Sequence, residues 1–259
     1  MTSSDERETR RDEKPYFVGY LPFPAGLKST YRWLVLAGIL LAALAGIGVA
    51  SQQKSAGPSV WNTSETVTLS GVLTMDPYPI LHRSDVTEGE AESVLLVLQG
   101  KHSADSAARA FVGKSVSVSG YAVQRGGWLM LEIKGESSIK VSADTETEIS
   151  VPPVLTGGEI TLAGEIMDTK CFLGVMNPGK GPAHKACAEL CLLGGIPPML
   201  AVRDEQGRKF GYLLKASDGS SAATQVAGRA AEAVEISGQL ERQGDILYIR
   251  MSSDQIAQL

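Results

Sequence analysis

Apolar and polar positions alternate along most of the chain after residue 66, and a period of two marks strands with one buried face. The stretch VTLSGVLTMD (residues 67–76) and the later ITLAGEIMD (160–168) share this pattern, with Gly71 answering Gly164. A second pair matches more closely: VGKSVSVSGYAVQRGGWLMLEI (112–133) and AEAVEISGQLERQGDILYIRM (231–251). Val116, Val118, Gly120, Leu129, Leu131 and Ile133 fall on Val234, Ile236, Gly238, Leu247, Ile249 and Met251 at one constant offset. In each copy a glycine-containing tetrapeptide, QRGG or RQGD, separates the last two strands as a hairpin turn. Gly71, Gly120, Gly164 and Gly238 interrupt strand patterns, where glycine commonly marks a bulge or sharp bend.

Short, strongly bent strands ending in a hairpin predict a mainly β chain built as two tandem OB-like small barrels. The first covers residues 66–141 and the second residues 159–259. An acidic, then Pro/Gly-rich linker (142–158) separates them. A pair of β-sandwiches is the competing architecture. Short helices are expected before each final hairpin, over residues 104–111 and 222–233.

One stretch breaks the alternation. WLVLAGILLAALAGIGVA (33–50) carries no charge and is just long enough, at about 1.5 Å per residue, to cross a hydrocarbon core of roughly 30 Å. It predicts a cytoplasmic tail (1–32), a transmembrane helix (33–51) and a polar linker (52–65). Arg7, Arg10, Arg11, Lys14, Lys28 and Arg32 precede the apolar run, whereas only Lys54 follows closely. The positive-inside rule then places the N-terminus in the cytoplasm, and the bulk in the periplasm or another extracytoplasmic space. Tyr31, Trp33 and Trp61 are candidate interfacial anchors. A cleavable signal sequence is the rival reading, but the charged leader is long and the apolar run exceeds a usual signal core. The chain of 259 residues has a formal net charge of −5, and no basic cluster follows the membrane segment. Nucleic acid is therefore not an expected partner, since such binding needs a concentrated positive surface. The expected partners are the membrane itself and a membrane protein complex.

All three cysteines fall between residues 171 and 191, inside an insertion that only the second copy has: DTKCFLGVMNPGKGPAHKACAELCLLGGIPPML. Gly181-Pro182 suits a helix start and Gly194-Gly195, followed by Pro197-Pro198, suits its end. His184, Cys187 and Cys191 then take positions i, i+3 and i+7, one face over two turns. Cys171 reaches that face through the glycine-rich loop 174–181. Three thiolates and an imidazole suit a closed tetrahedral zinc site, with copper(I) as the competitor in an exported protein. Met167, Met176 or Met199 offers an additional thioether. Asp168 either orients His184 from outside the ligand set or is a solvated turn residue, the second being the default. Two blander readings stand beside the metal. Cys171 pairs with a helical cysteine as a stapling disulfide, or Cys187 and Cys191 are core residues beside an exposed His184.

The pattern G-x-I-x-D-x-x-C, a glycine-rich loop, then H-x-x-C-A-x-x-C-x-x-G-G-x-P resembles a family of small exported bacterial OB-like proteins with no settled activity. It stands here as Gly164, Ile166, Asp168 and Cys171, then His184, Cys187, Ala188, Cys191, Gly194, Gly195 and Pro197. The resemblance covers residues 159–251 and implies a shared fold and ligand set, but no reaction. The first copy has no cysteine and reads as a structural or docking module.

No phosphate loop, c-type haem motif or serine nucleophile elbow is present. His82 and His102 read as solvated loop residues, and Trp128 as a packing residue. The expected function is a membrane-anchored extracytoplasmic binding or accessory protein, not an enzyme, with zinc or copper on Cys171, His184, Cys187 and Cys191. A thiol–disulfide component and a structural subunit of a membrane complex are the alternatives.

Overall fold

The computed structural model describes residues 25–52, 59–83, 86, 91–142, 151–204 and 209–259. The tail before residue 25 and the acidic stretch 143–150 lie outside the described residues.

Helix α1 spans Ala25–Gln52 and belongs to a unit of its own. It begins well before residue 33, taking in Lys28 and Arg32, whose long stems can lie along an apolar helix while the charges stay wet. Within Gly26–Ser51 an 18-residue window has a mean hydropathy of 2.4, and none of its residues is buried. It is long and apolar enough to cross a membrane.

The second unit holds the β structure. Its first part runs β1 (Ser59–Trp61), β2 (Val67–Met75), β3 (Pro79–Arg83), β4 (Ser93–Leu98), α2 (Asp105–Ala108), β5 (Ser115–Arg125), β6 (Trp128–Ile133) and β7 (Ile139–Val141). The strands pair in the order β5–β2–β3–β4–β6, and β6 returns to β5, closing a five-stranded barrel. Only β4 and β6 run parallel within it. The second part runs β8 (Val154–Asp168), a wide helical turn (Cys171–Val175), α3 (Lys185–Leu193), β9 (Pro198–Arg203) and β10 (Lys209–Ala216). It continues through α4 (Ala223–Val226), β11 (Ala233–Gln243), β12 (Ile246–Met251) and β13 (Ile256–Gln258). Its ring β11–β8–β9–β10–β12 also closes on itself, with β10 and β12 as the parallel pair.

Corresponding registers agree. Gly71 faces Val116 where Gly164 faces Val234, and Leu95 faces Met130 where Leu213 faces Tyr248. The two bent-strand glycines are there for close approach. A Cβ on Gly71 would lie 2.1 Å from the His82 carbonyl oxygen, and one on Gly164 would lie 2.7 Å from that of Ala201.

Several expected boundaries move. Ser59–Trp61, inside the expected first linker, pairs with β5. Val154, Leu155 and Thr156, inside the expected second linker, pair with Gln243, Arg242 and Glu241. The register shifts between Gln239 and Glu241, opposite Gly157-Gly158, so the glycines that suggested a loop sit at a bulge in a long strand. The helix expected over 222–233 is shorter: after α4 and one turn (Ala227–Arg229), Ala231 takes a φ of 60° and the chain enters β11. His82 is not a solvated loop residue. It lies buried in β3, with Nε2 3.0 Å from the Thr74 hydroxyl and Nδ1 3.4 Å from that of Ser93.

Three apolar clusters follow from this arrangement. One fills the first barrel (Leu73, Leu81, Leu96, Val116, Leu131) and one the second (Ile166, Leu200, Leu214, Val234, Ile249). The third lies between the barrels and draws on both, with Tyr78, Ile80, Leu95 and Met130 from the first and Met199, Leu213 and Tyr248 from the second. Polar contacts cross the same boundary. The Tyr78 hydroxyl donates to the Leu214 carbonyl at 2.5 Å, and the Glu92 N–H donates to Asp245 Oδ2 at 2.9 Å.

Candidate metal centre

The insertion, residues 169–197, joins β8 to β9 and folds into the gap between the barrels. After β8 ends at Asp168, the turn Cys171–Val175 lies against β1 and β5 of the first barrel. Gly174 makes that approach possible, with a φ of +123° and no room for a Cβ beside Ser59. Arg125 of the first barrel donates to the Phe172 carbonyl. A single tight turn, Pro182–His184, leads into α3. The helix ends where Gly194 N–H returns to the Leu190 carbonyl at 3.0 Å and Ile196 N–H to that of Cys191 at 3.0 Å. The expected glycine-proline start and glycine-glycine end are both present.

Helix α3 uses two buried faces. Ala188 and Leu192 pack into the second barrel's core, while Cys187 and Cys191 join the cluster shared between barrels. Cys191 is buried and Cys187 half-buried; Leu190 and Leu193 face outward.

The turn and the helix bring the three sulfurs together. Sγ of Cys171, Cys187 and Cys191 all lie within 4.8 Å of one another, and all three are free thiols. Ligands at about 2.3 Å from a common ion stand roughly 3.8–4.0 Å apart in tetrahedral or trigonal geometry. The sulfur triangle is thus within a small contraction of what an ion needs. Their softness suits zinc or copper(I).

His184 joins differently. Asp168, Cys171 and His184 form a second set whose donor atoms also lie within 4.8 Å of one another, so Cys171 is common to both sets. His184 sits in the tight turn before α3 rather than in its α-helical register, and its Nε2 lies 3.2 Å from Asp168 Oδ2. The expectation of a solvated Asp168 does not hold. Its side chain is fully buried, and its Oδ1 accepts the Cys171 N–H at 2.8 Å. One carboxylate therefore fixes both the histidine ring and the backbone of the first cysteine, the arrangement that orients ligands around an ion. His184 is itself buried, which removes the reading in which it is exposed beside core cysteines. Met167 and Met199 lie in the shared cluster with Cys171 and Cys191, whereas Met176 is exposed.

Sequence reasoning missed the residue that completes the site. Lys101, on the loop after β4 of the first barrel, places Nζ 2.7 Å from Cys187 Sγ and 3.6 Å from Cys191 Sγ. The same ammonium donates to the Cys187 carbonyl at 3.2 Å. Ser103 N–H donates to the Gly194 carbonyl at 2.8 Å, which holds that loop to the end of α3. Lys170, next to Cys171, donates to the Leu98 and Gly100 carbonyls and pairs with Glu132 at 2.7 Å, all within the first barrel. No local sequence signal marks either lysine.

The charges are coupled. The hydrogen bond between Cys171 and Cys191 pushes the Cys171 thiol up, and burial and the Asp168 charge add to it. The same bond pulls Cys191 below the usual thiol range against its burial, with Lys101 helping. Burial draws Lys101 down, but the Cys187 hydrogen bond and the two thiol charges outweigh it and raise it overall. Cys171 is thus placed to donate to Cys191, with the Lys101 ammonium on the other side of that sulfur.

No protein-family model, characterised protein or solved structure matches this chain.

Proposed function

We propose that this chain is a membrane-anchored extracytoplasmic binding or accessory protein that holds one zinc or copper ion on Cys171, Cys187 and Cys191, with His184 beside them as the fourth donor for an ion that requires one. The convergence of three sulfurs from a turn and a helix is the observation that carries this reading. Its setting is two tandem OB-like barrels, supported by the shared ring order and the single parallel pair at the same place in each. The apolar helix and its basic N-terminal flank support an anchor with the barrels on the periplasmic side of the membrane.

Elemental analysis of the full-length chain, purified in detergent under reducing conditions, tests the site. About one equivalent of metal per chain is expected, lost in Cys187→Ala and Cys171→Ala, with a lower melting temperature on chelation. A chain that retains no metal, and melts identically with and without chelator, refutes it.

A second reading has its own support. The half-buried Cys187 thiol, which accepts from Lys101 beside Cys191, suits a thiol that exchanges with a partner's disulfide. Such a chain, metal-free, would form a mixed disulfide through Cys187 with an oxidised dithiol, and Cys187→Ser would abolish it.

A further inference from the structure

The position of Lys101 and the partner of His184 narrow the chemistry of the proposed metal site, and the inference rests on that site being a metal site. We infer that the ion is copper(I), held by the three sulfurs alone, with Lys101 of the first barrel as the charge partner of the bound thiolates and His184 outside the ligand set.

Three observations lead there. The sulfurs are mutual neighbours without any histidine nitrogen among them, since His184 belongs to the set formed with Asp168 and Cys171. A three-sulfur triangle satisfies a soft ion that accepts trigonal coordination, whereas structural zinc almost always takes four donors. His184 and Asp168, at 3.2 Å, already satisfy each other in a fully buried setting, and Asp168 also holds the Cys171 N–H. Recruiting the imidazole through Nε2 would leave a buried carboxylate short of its partner, and neither ring nitrogen lies within 4.8 Å of all three sulfurs.

The ammonium of Lys101 fills the remaining side. It lies against Cys187 and Cys191, the two helical sulfurs, and accepts no coordination role while it stays protonated. Three thiolates around a monovalent ion carry two net negative charges, and a hydrogen-bonding ammonium offsets one of them. The contact also explains why the cysteine-free barrel is built against this face: it supplies the cation. The sulfur cluster borders an apolar interface, and Lys101 and Cys187 stand at its half-buried rim.

The test uses the full-length chain in detergent, titrated without oxygen with copper(I) in competition with a chromophoric copper(I) chelator, and separately with zinc(II). X-ray absorption reports the donor atoms. One copper(I) per chain with three sulfur neighbours and no nitrogen is expected, unchanged in His184→Ala. Lys101→Met should keep the stoichiometry and weaken binding by about tenfold to a hundredfold, the range for losing a charge-assisted hydrogen bond. Lys101→Arg should recover part of that loss, and melting curves confirm that each variant is folded. Preferential zinc binding with a nitrogen ligand that vanishes in His184→Ala overturns this inference and leaves the metal site standing. Undiminished copper affinity in Lys101→Met overturns the role of the lysine. Binding of neither metal by the unmodified chain overturns the metal reading itself.

Discussion

Replacing Gly194 by alanine tests whether the first barrel holds the cysteine site in shape. Gly194 lies at the end of α3, and a Cβ there would stand 1.7 Å from the Lys101 carbonyl oxygen. Ordinary contact would require the Lys101 loop to retreat by about 1.7 Å. Such a retreat breaks the 2.8 Å bond from Ser103 N–H to the Gly194 carbonyl and pulls Nζ out of reach of Cys187 Sγ, now 2.7 Å away. Overpacking of this kind costs about 1–3 kcal/mol. At roughly 2–4 °C per kcal/mol for a unit of this size, the melting temperature should fall by about 2–12 °C. The chemical readout is more specific. Loss of the ammonium removes one of the influences that lower Cys191, so its alkylation by a thiol reagent should require higher pH in Gly194→Ala. Thermal melting and the pH profile of alkylation in the metal-free chain check both effects. A variant that melts within 1 °C of the parent, with the same alkylation profile, would refute the clamp (1 °C being roughly half the smallest shift worked out above).

Two further outcomes follow from buried charges. Lys170→Met should cost about 3–5 kcal/mol, because it strands Glu132 in a pair that is under one-tenth exposed on both sides, and Lys170→Met combined with Glu132→Leu should recover most of it; denaturant unfolding that shows less than about 1 kcal/mol for the single variant would count against a structural pair. Burial holds His82 below its ordinary range, opposed only in part by the Asp245 charge, so the stability it contributes is full above about pH 6.5 and fades as the pH falls towards its folded value. Melting curves from pH 7.5 to 5 should therefore be steeper for the parent than for His82→Gln, by about 1.4 kcal/mol for each unit of depression, and parallel curves would show that His82 does not matter.

Strand pairing was largely legible from the sequence because its causes are local. Alternation gave the strands, hairpin turns their ends, and glycine positions the close crossings at His82 and Ala201. The apolar helix and the limits of α3 were legible for the same reason. The errors have equally physical origins. Gly157-Gly158 suggests a break, yet glycine also serves a bulge, and only pairing with β11 decides between them. His82 looks solvated because Arg83, Ser84 and Asp85 follow it in the sequence, whereas its burial comes from the strands on either side. Treating residues 184–191 as one regular helix put His184 on the cysteine face, whereas the tight turn at Pro182–His184 swings it to Asp168. Lys101 was invisible because its partners lie in the other barrel, far along the chain, and a single lysine in a Gly-Lys-His loop has no pattern of its own.

Equivalent strands of the two barrels meet at the shared cluster: Ile80, Leu95 and Met130 lie there with Met199, Leu213 and Tyr248. Two identical chains docking through such a face would be compelled to repeat every feature on both sides. Covalent fusion lifts that obligation. One half is free to grow the sulfur-bearing loop while the other keeps a three-residue connection (residues 76–78) in its place and contributes a lysine, so a single sulfur cluster forms where symmetry would have demanded a pair.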